Sequence, residues 1–323
     1  MTKPKVFLTR RWPLACEKRL LDHFDVTLNE DNHPLTPAEL KAALRDYDAV
    51  LPTVSDALPQ EVLSVEPLRC RMLGNFGVGF NHIDIETAKA RAITVTNTPD
   101  VLTECTADIA MLLLLMAARR ASEGERLVRS GQWAGWHPNH LLGTQVTGKT
   151  LGLVGFGRIA KAMATKAHFG FGMPILVYAP RPVPIADLER FGARQMESLE
   201  ALLESSDIVS LHCPGSAANR HLINAERLAM MKPEAILINT ARGDLIDSQA
   251  LIEALRHRHL AAAGLDVYEG EPRLDPDFLT LDNVALLPHL GSATLETRTA
   301  MGMKVIDNLE AFFKGAIPTN RVA

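Results

Sequence analysis

The stretch Thr150-Leu151-Gly152-Leu153-Val154-Gly155-Phe156-Gly157-Arg158-Ile159-Ala160 decides the fold of this chain. Its apolar first half predicts a buried strand and the run from Ile159 to Phe169 predicts an amphipathic helix, so the glycines form the turn between them. Gly155 allows a tight turn, and Gly157 lets the backbone approach a diphosphate, whose charge a helix N-terminus favours. Such glycines also serve ordinary turns, but strand, turn and helix in this register favour a dinucleotide-binding site.

The composition excludes several classes of protein. The chain has 323 residues, of which 47% are hydrophobic, and this length predicts two domains with sizeable cores. A net charge of −4 without any Lys/Arg block argues against binding to nucleic acid or to an anionic membrane. The cysteines are scattered, so we predict neither a disulfide framework nor a metal site. They are Cys16, Cys70, Cys105 and Cys213.

The sequence shows no targeting or membrane-spanning pattern. Residues 1–11 lead directly into a strand and lack the apolar core of a signal peptide. The longest apolar run, Ile109–Ala118, is too short to span a bilayer and is typical of a buried helix. We therefore predict a cytoplasmic protein.

Short apolar runs alternate with helical segments along the chain. In the first hundred residues we predict strands at Val6–Thr9, Val26–Leu28, Asp48–Thr53, Arg71–Leu73 and Ile93–Thr96. Helices are expected at Leu14–His23 and from the capping box Thr36-Pro37-Ala38-Glu39 onwards. This alternation is typical of parallel sheets with helices on both faces, and it predicts an α/β fold of two doubly wound parallel-sheet domains.

Two long helices mark the crossings between the predicted domains. Thr103–Arg119 leads into the second domain, and Leu295–Phe313 returns to the first. We therefore predict a flavodoxin-like substrate-binding domain, residues 1–100 with 295–323, into which a Rossmann nucleotide-binding domain, residues 101–294, is inserted. The active site is expected in a cleft between them.

The segment after the first crossing helix has two interpretations. We predict that Arg126–Trp136 is helical and that His137–Thr147 forms an arm close to Trp133 and Trp136. The arm either packs on its own domain or contacts a second subunit, since large aromatic side chains are enriched in interfaces. We favour the second interpretation and predict a homodimer, with Trp136 near the cleft of the partner.

A second glycine-rich loop, Gly74–His82, follows the fourth predicted strand. The next helix begins only near Asp84, so these glycines do not lie at a helix N-terminus. The loop is either a flexible crossover or a nest of backbone N–H groups, at Val78 and Gly79, that binds a small carboxylate. We favour the nest, because ligands of open α/β sheets bind beyond the carboxyl ends of the strands. Thr53, Val54, Ser55 and Phe76 are expected to line the same pocket.

The residues after the strand Ile175–Tyr178 predict which cofactor is bound. An NAD site usually has Asp or Glu here for the ribose hydroxyls, but the chain has Ala179-Pro180-Arg181-Pro182. A guanidinium is planar and permanently charged, and so it suits the 2′-phosphate of NADP(H). We predict a preference for NADP(H); the alternative is that Arg181 is a solvated loop residue and that NAD(H) also binds.

Arg242, Glu271 and His289 each follow a predicted parallel strand, so they can converge at the sheet edge that carries the cofactor. An arginine can pair with the carboxylate of a 2-oxo acid, and a histidine can act as general acid. A glutamate bonded to that histidine would stabilise the imidazolium. Taken singly, they have other interpretations: a capping residue, a turn residue and a structural histidine.

At these positions the sequence resembles the D-isomer-specific 2-hydroxyacid dehydrogenase family over nearly its whole length. The resemblance rests on the glycine stretch, on Asn239–Asp244, on Gly264–Pro272 and on Pro288–Thr294. It implies that Arg242, Glu271 and His289 are the catalytic residues. Ala167–Leu176 is similar to bacterial glyoxylate/hydroxypyruvate reductases that also reduce 2-ketogluconate and favour NADPH. The departures from the family pattern are Ala160 and Pro180.

The resemblance also implies the remaining contacts. Those expected for the cofactor are Gly155, Gly157, Arg158, Ile159, Arg181, Cys213, Pro214, Thr240, Ala241, Asp266 and Gly291. Those expected for the substrate are Val54, Val78, Gly79, Arg242, His289 and Ser292. For Asp266 a second interpretation stays open, in which it accepts hydrogen bonds from turn N–H groups.

Two other functions compete with NADP(H)-dependent reduction of 2-oxo acids. One is an NAD-linked dehydrogenase of the D-lactate or phosphoglycerate type. Arg181 argues against the NAD-linked enzymes. A phosphorylated substrate would need an added cation near Thr53–Asp56, and the sequence has none there. The other is a non-enzymatic NAD(H)-sensing binding protein, for which the chain lacks a long polar tail.

Overall fold

The alternation of strands and helices folds into two separate parallel sheets. A computed structural model describes residues 3–323, which form two compact units. The first unit is the chain up to Leu102 together with Ala293–Ala323, and the second is Thr103–Ser292. No helix within residues 3–323 is long and apolar enough to cross a membrane.

The first unit is built around five parallel strands in the order β2-β1-β3-β4-β5. The strands are β1 (Lys5–Leu8), β2 (Asp25–Leu28), β3 (Ala49–Leu51), β4 (Met72–Gly74) and β5 (Thr94–Thr96). Its helices are α1 (Leu14–His23), α2 (Pro37–Asp46), α3 (Gln60–Leu63), α4 (Ile85–Ala90) and α12 (Leu295–Phe313). Although α12 ends the chain, its apolar face, with Val305 and Leu309, packs into the core of this sheet against Leu51 and Met72.

The second unit has seven parallel strands in the order β12-β11-β10-β9-β6-β7-β8. The strands are β6 (Leu151–Val154), β7 (Ile175–Tyr178), β8 (Arg194–Gln195), β9 (Ile208–Leu211), β10 (Ile236–Asn239), β11 (Ala262–Leu265) and β12 (Val284–Leu286). Its helices are α5 (Thr103–Ala118), α6 (Ala121–Arg129), α7 (Arg158–Phe171), α8 (Ile185–Glu189), α9 (Leu199–Ser205), α10 (Ala225–Met230) and α11 (Ser248–Arg256). The chain starts in the middle at β6, goes to β7 and β8, and then returns to β9 on the other side. The switch point between β6 and β9 is where this fold binds ligands.

Most of the predicted elements are present. The two predicted parallel-sheet α/β domains are confirmed, and α1 and α12 have the predicted bounds. The capping box is also confirmed, because Thr36 Oγ1 accepts a hydrogen bond from Glu39 N at 3.3 Å and Glu39 Oε2 accepts one from Thr36 N at 2.7 Å. The two-residue strand β8 was not predicted, since it is too short to show alternation.

The predicted helix Arg126–Trp136 is wrong. Helix α6 begins earlier, at Ala121, and ends at Arg129. Gly131 then adopts a left-handed conformation with φ of +70°, which ends the helix, and the chain through Trp136 is irregular. None of the residues of α6 is buried, and Trp136 is 80% exposed.

Candidate active site

The first glycine loop has the geometry that its sequence predicts. Gly155 has φ of +87°, and a Cβ added to it would lie 2.9 Å from the backbone nitrogen of Cys213, so a side chain does not fit. A Cβ added to Gly157, in contrast, would meet no atom within 4 Å. Gly157 is the N-cap of α7 and gives it no side-chain cap, so the helix opens with backbone N–H groups beside open space. This arrangement fits a diphosphate.

Other predicted cofactor residues line the same sheet edge. Arg158 and Ile159 form the first turn of α7, and Cys213 with Pro214 directly follows β9 at the switch point. Thr240 and Ala241 follow β10. Thr240 is only 8% exposed, and its hydroxyl has no hydrogen-bond partner among the described residues. A buried hydroxyl of this kind needs a partner, and a bound cofactor at the strand ends would supply one.

Arg181 lies in an exposed loop whose backbone is fixed by a side chain of β8. Gln195 Nε2 donates to the carbonyl of Arg181 at 3.0 Å, and Gln195 Oε1 accepts from Val183 N at 2.8 Å. The next carboxylate along the chain, Asp187, pairs with Lys161 Nζ at 2.6 Å. The guanidinium of Arg181 is therefore presented on an anchored loop, and the neighbouring acid is neutralised. No pattern in the sequence predicted this role of Gln195.

His289 and Glu271 form a direct pair. His289 Nδ1 and Glu271 Oε2 are 2.8 Å apart, and Glu271 Oε1 accepts a hydrogen bond from Tyr268 N at 2.8 Å. Burial raises the pKa of Glu271, but the hydrogen bond to His289 and the charges of His289 and Arg242 outweigh burial and bring the pKa below its usual value. Glu271 is therefore a carboxylate at neutral pH, and it can stabilise the imidazolium form of His289.

Arg242 belongs to the same electrostatic environment. Its Nη1 donates to the carbonyl of Ala241 at 2.6 Å. Burial lowers the pKa of Arg242 below its usual value, and the charges of Glu271 and Asp244 oppose that change. The guanidinium stays charged, as arginine does throughout proteins. The structure thus brings together the three residues that were predicted to converge from the ends of β10, β11 and β12.

Asp266 shapes the turn that carries His289. Its Oδ1 accepts from Leu290 N at 2.7 Å and its Oδ2 from Gly291 N at 2.8 Å, while its carbonyl accepts from His289 N at 2.9 Å. Burial raises the pKa of Asp266, and these N–H donors oppose the rise. His289 itself has φ of +56°, which the turn enforces. Of the two interpretations of Asp266, the structure supports the one in which it binds turn N–H groups. Gly291 and Ser292 continue this turn.

In the first unit, side chains bind the carbonyls of Gly77, Val78 and Gly79 in the second glycine loop. Asn75 is fully buried, and its Nδ2 donates to the carbonyl of Gly77 at 3.0 Å and to that of Gly79 at 2.9 Å. Asn97 Nδ2 donates to the carbonyl of Val78 at 2.9 Å. The N–H groups of Val78 and Gly79 donate to no described residue. Side-chain hydrogen bonds therefore hold this loop in place, so it is not a loosely held crossover.

Val54 lies beside this loop. It is 41% exposed, and its Cγ1 would be 3.2 Å from a Cβ added to Gly77. The turn that carries it is held by the buried carboxylate of Asp56, whose Oδ2 accepts from Thr53 N at 2.7 Å and from Thr9 Oγ1 at 2.6 Å. The sequence prediction missed Asn75, Asn97 and Asp56. Asn75 and Asn97 each directly follow a buried strand, which was their one signal, whereas Asp56 lies further beyond the end of β3.

Comparison with known proteins agrees with this geometry. The sequence profile of the D-isomer specific 2-hydroxyacid dehydrogenase NAD-binding domain matches residues 111–291. The glyoxylate reductases of Thermococcus onnurineus and Pyrococcus furiosus are each 45% identical over 99% of the chain, covering 96% and 95% of their own lengths. The solved NADPH-dependent glyoxylate/hydroxypyruvate reductase of Sinorhizobium meliloti, in complex with NADP and malonate, has a TM-score of 0.87 and 34% identity. That match covers 100% of this chain and 97% of that one.

The nucleotide-type sheet, with an Arg–Glu–His group at its strand ends, defines an NAD(P)-dependent oxidoreductase. The chain belongs to the D-isomer specific 2-hydroxyacid dehydrogenase family. Within that family it is similar to the glyoxylate reductases.

Proposed function

We propose that this enzyme reduces small 2-oxo acids, glyoxylate and hydroxypyruvate above all and 2-ketogluconate in the same series, to D-2-hydroxy acids with NADPH. The observation that carries the proposal is the 2.8 Å pair of His289 and Glu271 in the charge environment of Arg242. A proton donor and a guanidinium at one sheet edge are what the carbonyl and the carboxylate of a 2-oxo acid require. The names of the two relatives at 45% identity, both glyoxylate reductases, support the substrate class.

In the proposed mechanism His289 is the general acid. A bound nicotinamide cofactor supplies the hydride. His289 binds Glu271 through Nδ1, which leaves Nε2 to donate the proton to the carbonyl oxygen of the substrate. Glu271 fixes the orientation of the ring and stabilises its charge. Arg242 binds the carboxylate of the substrate and polarises the adjacent carbonyl.

The proposal assigns substrate binding in the first unit to the second glycine loop. The N–H groups of Val78 and Gly79 would hold the carboxylate, since Asn75 and Asn97 engage the loop carbonyls and leave these donors available. A nest of this kind binds anions through backbone dipoles and needs no cationic side chain. Val54, exposed next to the loop, would contact the remainder of the substrate, and Ser292 in the second unit is assigned the same role.

The proposal includes a preference for NADPH over NADH. No carboxylate follows β7 before α8. Arg181 is exposed on a loop that Gln195 anchors, and Lys161 neutralises the carboxylate of Asp187, which would otherwise repel a 2′-phosphate. The bound NADP in the related Sinorhizobium meliloti reductase supports this choice.

We also propose a homodimer formed through α6 and the irregular arm after it. Helix α6 buries none of its own residues, and Val128, Trp133, Trp136 and Leu142 are exposed apolar side chains on this segment. An apolar surface of this kind marks an interface, and a second copy of the chain is the occupant we assign. Sedimentation equilibrium at micromolar concentration should give the mass of two chains, and the mass of one chain would reject the dimer.

A cytoplasmic location is proposed as well. None of the four cysteines forms a disulfide bond within the part of the chain that the structure describes, and reduced cysteines are typical of a reducing compartment.

The test of the proposed function is the loss of NADPH absorbance with glyoxylate, hydroxypyruvate and 2-ketogluconate, each repeated with NADH. We expect turnover with NADPH well above that with NADH, and D-stereochemistry of the product. Turnover with NADH alone would keep the chemistry and reject the cofactor preference. Binding of cofactor without turnover of any of the three substrates would reject the proposed substrate class.

A further inference from the structure

A second charged cluster connects the segment between the 3-10 helix Ala217–Asn219 and α10 to the loop that follows β11. His221 Nε2 is 3.0 and 3.1 Å from the two carboxylate oxygens of Glu269, and Arg220 Nη2 is 2.8 Å from Glu269 Oε1. Glu269 precedes Glu271 by two residues, in the loop that follows β11. Arg220 and His221 therefore bind the loop that carries Glu271, the partner of His289.

The same segment also holds the loop of Arg242. The backbone N–H of His221 donates to the carbonyl of Asp244 at 2.8 Å. Next to Asp244, Gly243 lies flat against the peptide that joins Tyr268 to Glu269, and a Cβ at Gly243 would collide with that peptide. Arg242 and Glu271 are thus on two loops in direct backbone contact, and His221 binds one loop with its backbone and the other with its ring.

The backbone conformation of His221 favours its contacts with both loops. His221 has φ of +51°, a left-handed conformation that is uncommon for a residue other than glycine. It places the ring on Glu269 while the N–H group stays on Asp244. The other charged groups around the ring are Asp247, whose Oδ2 is 4.0 Å from Nδ1, and the exposed Arg220.

We propose that His221, assisted by Arg220, is a positioning residue that clamps the loops of Arg242 and Glu271 against each other and so holds Glu271 on His289. This inference rests on the proposed function, because it assumes that His289 is the general acid. Without the clamp, Glu269 would release its loop, the bond between Glu271 and His289 would lengthen, and the imidazolium would be less stable.

The sign of a pH effect distinguishes the clamp from a simple charge effect. The kcat/KM of the reduction falls at high pH as the general acid of the free enzyme loses its proton. Removing the cation of Arg220 would, through charge alone, favour the imidazolium of His289 and move this descending limb to higher pH. Loss of the clamp weakens the contact of Glu271 with His289 and moves the limb to lower pH.

The experiment measures kcat/KM for hydroxypyruvate with NADPH from pH 5.5 to 9.5 in the wild-type enzyme and in H221A, H221Q, R220A and E271Q. For H221A we expect a fall of about 10-fold at neutral pH and a descending limb about half a pH unit lower. R220A should move the limb in the same direction by less, and H221Q, which keeps a donor for Glu269, should restore most of the activity. R256A, which removes an exposed ion pair of α11 with Asp277, is the matched control and should leave the limb unmoved.

E271Q separates the two proposals. If E271Q moves the limb to lower pH while H221A and R220A leave it in place or move it upwards, the clamp is wrong and the proposed function stands. If E271Q itself leaves the limb unmoved, the assignment of Glu271 and His289 is wrong, and the clamp is rejected with it. A variant is taken as folded when its dissociation constant for NADPH equals that of the wild type. If H221A does not fold, R220A tests the clamp instead, because its side chain is exposed.

Discussion

The two glycine-rich loops of the molecule have similar sequences, but a helix begins directly after only one of them. Both follow a buried parallel strand: Gly155-Phe156-Gly157 follows β6, and Gly77-Val78-Gly79 comes shortly after β4. In the first, α7 starts at the next residue, so the helix N-terminus itself faces the open space at Gly157. In the second, α4 begins only at Ile85, and no helix end is available.

The proposed function gives the two loops two different ways of binding an anion with backbone N–H groups. A helix N-terminus provides several aligned donors and a dipole, which suit a diphosphate. The second loop has only the N–H groups of Val78 and Gly79, and it depends on Asn75 and Asn97 to bind its carbonyls. Two donors suit a single carboxylate. Substitutions in the first loop should therefore weaken binding of the cofactor, and substitutions in the second should weaken binding of the substrate. A substitution of His289 should lower turnover without affecting either loop.

The largest effect is expected for H289Q, which removes the general acid and leaves both loops intact. The turnover number should fall by about 10²–10⁴, the usual contribution of general acid catalysis. The dissociation constant for NADPH, measured by fluorescence titration, should stay close to that of the wild type. Turnover at the wild-type level would remove His289 from the mechanism.

Replacement of Gly157 tests the loop assigned to the diphosphate. In G157V the side chain would fill the space that is now open, and loss of two charge-assisted hydrogen bonds should weaken NADPH binding by about 10²-fold. G170V places the same side chain in an equally open position near the end of α7 and is the control. Equal affinities of the two variants for NADPH would mean that the diphosphate does not bind at Gly157.

Arg181 tests how the cofactor is selected beyond that loop. In R181A the ratio of kcat/KM for NADPH to that for NADH should fall by about 10- to 30-fold, because one charged contact to the 2′-phosphate is lost. R194A removes an exposed arginine from the neighbouring strand β8 and should leave the ratio unchanged. If R181A also leaves it unchanged, Arg181 is a solvated loop residue.

The smallest effect is expected for N75A, which acts on the second loop without touching the substrate. The carbonyl of Gly77 would keep only the N–H of Thr98 and that of Gly79 would lose the Asn75 amide, so the loop would relax and the KM for glyoxylate should rise by about 3- to 10-fold. The dissociation constant for NADPH should not change. A rise in that constant instead, with an unchanged KM for glyoxylate, would contradict the division of roles between the two loops.

Much of the candidate site could be predicted from the sequence because its elements are local. Gly155 and Gly157 are specified by the strand and helix directly around them, and Arg242, Glu271 and His289 each lie just beyond an apolar strand. The prediction failed where a single backbone conformation decided the outcome. Gly131 ends α6 in a region whose sequence continues to favour a helix towards Trp136. The strand β8, two residues long, gave no periodic signal.

The sequence by itself determined the fold class, most of the strands and helices, and which residue types follow the strand ends of the second unit. These depend on residue type and short spacings, which act before any distant contact forms. Only the tertiary structure decided which polar groups are already bound and which are left for a ligand. The hydrogen bonds that decide this come from far along the chain: Asn97 to Val78 spans 19 residues, Gln195 to Arg181 spans 14, and His221 to Glu269 spans 48. A buried polar group must find a partner, and for these groups the fold alone chooses it.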